Sequence, residues 1–268
     1  MSLHPYVNTA IAAARAAGDF IIRSSRDIDR IDVTTKRTND YVTEVDRKAE
    51  QIIIETLLKS YPDHGIIGEE GGERKGRLPT EWIIDPLDGT TNYLHRLPQY
   101  CVSIACRKDG VIEHAVIYDP WSQELFTATR GQGALLDGRR IRVSGRRGLD
   151  GSLIGTGFPI AGGERLQAYM PMLEAVLENT AGARRAGSAA LDLAYVAAGR
   201  LDAFWELKLK PWDIAAGALL VQEAGGIVSE AYGGDDVLKT GSIIAGSPKV
   251  HAELSSLLSP FLDRPPVD

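Results

Sequence analysis

Cysteine is nearly missing from this chain: 268 residues contain only Cys101 and Cys106. Their spacing fits neither a zinc knuckle nor a redox CxxC pair. Five residues apart in one strand-like run, they point to opposite faces of a sheet. They read as two small core residues in a reducing cytosol. The five histidines are scattered and form no HxxH or HExxH pattern, so a histidine-rich zinc centre has no signature here. No run approaches the ~18 uninterrupted apolar residues of a membrane span. The opening MSLHPYVNTAIAAARAAGDF lacks the charged leader and long apolar core of a secretory signal. Positive charge is not in excess either. Thirty Lys and Arg against 36 Asp and Glu leave a net charge of -6, which excludes a broad electrostatic footprint for nucleic acid. There is no P-loop and no serine nucleophile elbow. Gly131-x-Gly133-Ala134 lacks the third glycine and the strand-to-helix setting of a dinucleotide loop. No repeat or low-complexity segment breaks the chain.

What remains is an ordinary folded composition, 44% hydrophobic and 25% charged, long enough for one large domain or two modest ones. Apolar periodicity predicts helices over 4–25 and 44–60, the first with Ile11, Ala14, Ala17, Gly18, Ile21 and Ile22 near one stripe. HGIIGEE, EWIID, YCVSIACRK, VIEHAVIYD and QELFTATR then read as strands following strands, an antiparallel sheet flanked by the two helices. After about residue 148 the rhythm changes. Strand-like SLIGTG, DAFWE, IVS and SIIAG alternate with helices over 163–178, 189–198, 214–224 and 249–262, an α/β layer arrangement. SGRRGLDGS (144–152) is the expected join. The expectation is an N-terminal α+β domain over 1–147 and a C-terminal α/β domain over 148–268, with a loose tail at DRPPVD.

Chemistry concentrates where regular elements end. IIGEEGG puts Glu69 and Glu70 after one strand, and WIIDPLDGTTNY puts Asp85 and Asp88 after another. KPWDIAAG puts Asp213 at the N-cap of a helix. Each has a plain structural use: a solvated turn, Asp-Pro turn chemistry, a helix cap. Their conjunction carries the functional reading, because strand ends and helix starts are where open α/β layers present ligands. Four carboxylates at one point repel strongly without a cation. An oxygen-only donor set suits a hard ion, so Mg²⁺ is favoured over Zn²⁺. The Asp-Gly-Thr-Thr-Asn turn offers amides and hydroxyls to an anion. Metal carboxylates beside an anion site point to phosphoryl chemistry.

With GEE at 68–70, DPLDGTTN at 85–92 and PWDIAAG at 211–217 in this order, the chain resembles the inositol monophosphatase family, closest to its bacterial SuhB-type branch. TNDYVTEVD (38–46), ATRGQGA (128–134), GSAALDLAYVAAGRLDAFWE (187–206) and EAGGIVS (223–229) extend the likeness over most of its length. The resemblance implies a five-layer α-β-α-β-α sandwich of the metal-dependent sugar phosphatase type. It implies metal ligands at Glu69, Asp85, Asp88, Asp213 and the backbone carbonyl of Leu87. Gly89 and Thr90 match phosphate-binding amides, and Thr90 with Asp46 and Glu69 matches the group that activates the attacking water. Lys36 matches a basic residue near the metals, and Glu70 a neighbour of the set. On the substrate side, where Asp88 and Asp213 also count, Gly187, Ser188, Ala189 and Glu206 match ring-contacting positions. Gly187-Ser188 also reads as a helix start and Glu206 as an acid at a strand end.

The implied activity is hydrolysis of a phosphate monoester, most directly myo-inositol 1-phosphate, by activated water without a phosphoenzyme. Two or three Mg²⁺ ions, inhibition by Li⁺ and a homodimer come with the family. Haloacid-dehalogenase phosphatases place their acids in DxD spacing, whereas Asp85 and Asp88 stand in DxxD. Related enzymes cleave fructose 1,6-bisphosphate, 3′-phosphoadenosine phosphates or histidinol phosphate. SuhB-type members are also associated with RNA polymerase and Nus-factor complexes in ribosomal RNA transcription. In that reading Arg184-Arg185 or RRIRVSGRR (139–147) is contact surface; as a charge run it is equally a solvated face.

Overall fold

The structure is a computed structural model that describes residues 3–30, 33–37, 40–159, 163–234 and 236–262; the side chains of 29–30, 33–37, 40–42 and 163–165 lie outside the description. Helix α1 (Pro5–Ser24) starts on a proline at its first turn, and His4 Nδ1 accepts from the Tyr6 amide at 3.2 Å. Its small-residue stripe is buried, and a Cβ at Gly18 would come within 2.7 Å of the Tyr118 ring. A 3₁₀ turn (Ser25–Arg30) and a hairpin of β1 (Val33–Arg37) and β2 (Asp40–Thr43) lead into α2 (Glu44–Ser60). Thr43 and Asp46 close a capping box at the start of α2.

Seven strands and one two-residue strand then build the larger sheet. In chain order they are β3 (Gly65–Gly68), β4 (Gly72–Arg74), β5 (Thr80–Asp88), β6 (Cys101–Lys108), β7 (Val111–Asp119), β8 (Glu124–Thr129), β9 (Gly133–Leu136) and β10 (Arg139–Arg140), with α3 (Thr90–Leu94) between β5 and β6. The spatial order is β10-β9-β8-β7-β6-β5-β3-β4. The expected antiparallel sheet needs one correction: β3 and β5 run parallel, Gly65 opposite Glu81 through Gly68 opposite Ile84. The short β3–β4 hairpin occupies the edge, so β5 must return on the inner side of β3. This is what opens the C-terminal ends of β3 and β5 at the same edge, where Glu69 and Asp85 stand.

The second sheet has the order β12-β11-β13-β15-β14. It is made by β11 (Leu153–Thr156), β12 (Gly182–Arg184), β13 (Ala203–Glu206), β14 (Ile227–Glu230) and β15 (Ile243–Gly246). Helices α4 (Gly163–Asn179), α5 (Ala189–Ala197), α6 (Pro211–Glu223) and α7 (Val237–Thr240) connect them, and α8 (Pro248–Leu258) follows the last strand. Three buried cores bind the layers. One joins α1 and α2 to the outer face of the large sheet. The second holds the near-wholly apolar α5 and α6 between the two sheets. The third packs α4 and α8 on the far face of the small sheet. The result is the expected five-layer α-β-α-β-α stack. Cys101 lies in the middle core and Cys106 in the first, on opposite faces as their odd spacing requires.

Candidate active site

Asp85 lies within the buried run of β5, which continues to Leu87, and is 2% exposed. Its Oδ1 accepts from the Leu87 amide at 3.0 Å, an Asx turn that bulges the strand between Asp85 and Asp88. Desolvation first, then the charges of Glu69, Asp88 and Asp213, push its carboxyl well above the usual carboxylate range. Glu69 leaves β3 with its amide on the Ile84 carbonyl at 3.2 Å. The start of α6 is tied to the same strand end: Ser103, opposite Asp85 on β6, donates to the Trp212 carbonyl at 3.3 Å. Asp213 is raised by desolvation, then by Asp88, Glu69 and Glu206. The structure therefore brings Glu69, Asp85, Asp88 and Asp213 into one electrostatic field from β3, β5 and α6.

Asp213 is not itself the N-cap. Lys210 is, Pro211 takes the first helical position, and Asp213 at the third reaches back to the Lys210 amide at 2.7 Å. Proline's fixed φ starts the helix two residues earlier than its acid.

Asp88 faces the second sheet's helices. Its Oδ2 accepts from Ser188 Oγ and from the Ala190 amide, both at 2.7 Å. Ser188 thus spends its hydroxyl on Asp88 and makes no side-chain cap for α5. Desolvation lifts the Asp88 carboxyl to about 6, against the pull of these donors, the Ala189 amide and Arg185. Thr90 lies just beyond. Its hydroxyl donates to Asp46 Oδ1 at 2.7 Å and sits 3.1 Å from the Leu87 carbonyl. Asp46 is 1% exposed; burial raises its carboxyl, and hydrogen bonds from Thr43 and Thr90 oppose this. Gly89 holds φ +101°, and a Cβ there would meet the Gln99 carbonyl at 2.7 Å, so the turn that offers the Gly89 and Thr90 amides needs glycine.

Glu206, at the end of β13, is lifted to about 8 by desolvation and then by Asp192, with Asp88 adding to this and Arg185 opposing it. Gly187 holds φ +90° beside Arg185 and Asn92. The Lys36 side chain lies outside the described residues. The Glu70 amide donates to Glu50 Oε1 at 3.0 Å. Glu50, on α2 and buried, fills the space that a side chain at Gly68 or Gly71 would need. Glu50 and Asp192 went unread in the sequence. Each is an acid at a buried position of its helix, Glu50 one turn after buried Asp46 and Asp192 among apolar residues, which is the signal that could have found them.

Among the described residues no three acidic, imidazole or thiol groups are already drawn into a coordination shell. Mutual repulsion favours such a spread, and Asp85, Asp88 and Asp213 are each tied back to protein donors. The donor set is nonetheless right for Mg²⁺: oxygen atoms only, on acids that raise one another's pKa and so lack positive charge.

The model of the inositol monophosphatase family matches residues 2–260. Among curated proteins, Nus factor SuhB of Pseudomonas aeruginosa PAO1 is 54% identical over 265 residues, 97% of this chain and 98% of that one. Nus factor SuhB of Escherichia coli K12 is 53% identical over 249 residues, 92% of this chain and 93% of that one. Among solved structures, extragenic suppressor protein suhB from Bartonella henselae superposes with a TM-score of 0.92 at 45% identity, covering 94% of this chain and 97% of that one. Inositol monophosphatase from Anabaena (Nostoc) sp. PCC 7120 gives 0.82 at 37% identity, covering 94% of each.

Proposed function

We propose that this chain, which belongs to the inositol monophosphatase family, is a Mg²⁺-dependent hydrolase of phosphate monoesters, with myo-inositol 1-phosphate as its best substrate. The observation that carries the reading is the shared field of Glu69, Asp85, Asp88 and Asp213, desolvated and short of positive charge beside the Gly89–Thr90 turn. Glu69, Asp85, Asp88, Asp213 and the Leu87 carbonyl would hold two or three ions. When bound, Mg²⁺ supplies a lowered pKa for the attacking water and a counter-charge for the leaving oxygen.

The chain's own groups do the rest. The amides of Gly89 and Thr90 bind the phosphate oxygens. Asp46 and the Leu87 carbonyl both lie on the hydrogen side of the Thr90 hydroxyl, which leaves its lone pairs free to accept a hydrogen bond from water, and a proton taken from that water is balanced by the Thr90 proton passing to Asp46. Thr90 with Glu69 then orients that water, and Asp46 is the acceptor behind it. Ser188 and the Ala190 amide hold Asp88 at the junction with the alcohol, whose hydroxyls meet Glu206 and the 187–189 loop. Phosphate release from a panel of esters, run with Mg²⁺ and with excess EDTA, tests this. Polyol phosphates are expected to lead the panel, and full turnover in EDTA would end the metal-dependent reading.

A second reading is favoured by the relatives named Nus factor SuhB at 53–54% identity. In it the chain joins an RNA polymerase and Nus-factor complex. The 139–147 stretch, in which Arg139, Arg140, Arg142, Arg146 and Arg147 are exposed, or the exposed pair Arg184-Arg185 would supply contact surface. Rescue of a deletion strain by a catalytically dead Asp88→Asn protein would favour this role, and failure to rescue would favour catalysis.

A further inference from the structure

Asn92 closes the Asp-Gly-Thr-Thr-Asn turn, within α3, and is 6% exposed. Its carboxamide nitrogen donates to the Gln99 carbonyl at 2.7 Å and to the Ala186 carbonyl at 2.8 Å. Both partners can only accept, so the nitrogen and not the oxygen must face them. Two hydrogens on one planar nitrogen fix the two carbonyls relative to each other. Gln99 lies between α3 and β6 of the large sheet, and its carbonyl is the atom that stands 2.7 Å from a Cβ built on Gly89. Ala186 lies between β12 of the small sheet and α5. One buried side chain therefore ties the Gly89–Thr90 turn to the other sheet.

The same loop carries the donors that hold Asp88. Ser188 Oγ and the Ala190 amide both donate to Asp88 Oδ2 at 2.7 Å. Cys101, opposite Asp88 on β6, stands 3.7 Å from the Ser188 hydroxyl oxygen. Three bonds thus join residues 88–92 to residues 186–190: one starts at Asn92, and two end on Asp88. Between the Ala186 carbonyl and Ser188 there is only Gly187, which holds φ +90°. A Cβ there would fall 3.0 Å from the Asn92 nitrogen and 3.3 Å from its oxygen, so glycine is what lets the loop come this close. Glycine also gives the loop its least restrained backbone at that point. With the Ala186 carbonyl released, little local restraint would keep Ser188 and Ala190 on Asp88.

We propose that Asn92 is a positioning residue for the metal site: by pinning the Ala186 carbonyl it keeps Ser188 and the Ala190 amide on Asp88, so that this carboxylate is held in place before an ion arrives. The inference rests on the reading of Asp88 as a metal ligand in a phosphatase site. Both hydrogens of Asn92 are spent on carbonyls, so it acts through the loop and not on the ester. A ligand already fixed loses less freedom on binding, and the effect of Asn92 therefore belongs to Mg²⁺ affinity.

The test is Mg²⁺ titration of the full metal-free chain, followed by calorimetry, with urea unfolding in EDTA and phosphate release from myo-inositol 1-phosphate measured alongside. Asn92→Ala should raise the Mg²⁺ dissociation constant about tenfold, the size of one lost buried hydrogen bond. Most of kcat should return at saturating Mg²⁺, with KM for the ester close to wild type. Ser188→Ala, one link further along, should raise the constant too. The double variant should exceed the larger single shift by less than about threefold, because both act on Asp88 by one route. If Asn92→Ala does not fold, Asn92→Ser, which leaves room for a bridging water, is measured in its place, with a shift in the same direction expected. Lower stability in EDTA with an unchanged Mg²⁺ constant would make Asn92 a brace of the fold only. A raised KM with an unchanged constant would place its action at the phosphate turn. Shifts that multiply in the double variant would mean two independent routes. Each of these overturns the proposal. A wild-type chain that binds Mg²⁺ but releases no phosphate would remove the phosphatase reading and leave the Asn92 clasp to be decided by the binding constants. A wild-type chain that binds no Mg²⁺ would remove both.

Discussion

Replacing Asp88 by asparagine separates a metal ligand from a structural acid. Asp88 titrates at about 6 instead of 3.8, so ionising it in the metal-free fold costs about 3 kcal/mol once pH is well above 6. The sign follows from the raised value. The metal-free protein has this margin in full below pH ~4, where the acid is protonated folded or unfolded, and loses it as pH rises through about 6. Asparagine cannot ionise and escapes the loss. Its carbonyl oxygen can still accept from Ser188 Oγ and the Ala190 amide, as the protonated acid does, and the value of about 6 already includes what those bonds give the charged form. The balance at pH 8 is a gain of up to about 3 kcal/mol, or a rise in Tm of roughly 6–12 °C. At pH 5 the folded acid is mostly protonated while the unfolded one is ionised, and the variant should gain about half as much. Scanning calorimetry in EDTA at pH 5 to 8 measures this, followed by Mg²⁺ titration of Tm and a phosphate-release assay. Activity should vanish and the Mg²⁺-induced rise in Tm should shrink. A drop of more than ~4 °C in EDTA at pH 8 would show Asp88 to be structural. A Mg²⁺ response equal to wild type would show that it holds no metal.

Three further outcomes follow from other contacts. Thr90→Val removes the hydroxyl bonded to Asp46 and should lower kcat by ~10² or more, with Thr90→Ser restoring it and the Mg²⁺ shift in Tm retained in both. Glu50→Ala strips the Glu70 amide of its acceptor and empties the space beside Gly68 and Gly71; a loss of about 1–3 kcal/mol in urea unfolding and a higher Mg²⁺ concentration for half-activation are expected. In wild type, Mg²⁺ at 100 times its dissociation constant should stabilise the fold by ~3 kcal/mol, read as a concentration-dependent Tm that EDTA abolishes.

Much of the layer order was legible because periodicity does not depend on partners. The α2 boundaries are those that its apolar spacing and Thr43 cap dictate, and the two cysteines face opposite cores as counted. The parallel β3–β5 pair was not legible. Strand β4 is three exposed residues, Gly-Glu-Arg, with no alternation to mark it, and without it β3 and β5 look like ordinary neighbours. The same limit governs the site. The four acids could be picked out because each stands close to the end of a strand or the start of a helix. Glu50 and Asp192 lie inside helices, and only the packed layers show that one braces the Glu69–Glu70 turn and the other is buried with an unpartnered Oδ1.

The acids themselves join the layers. Asp88 comes from the large sheet but accepts from the first turn of α5, and Asp213 sits in the first turn of α6 yet feels Glu69 from β3. Helices α5 and α6 pack side by side between the sheets, so two positive helix ends converge on the end of β5. At ~0.3–1 kcal/mol each, those ends soften the repulsion among four acids without cancelling it. The remainder is the driving force for binding a hard cation. A cation bound there draws together β3, β5 and α6, so occupancy of the site and cohesion between the two sheets are one quantity. Hydrogen exchange in α5 and α6 should therefore slow on adding Mg²⁺, while exchange in α1 and α8, which touch no acid of the set, stays as it was.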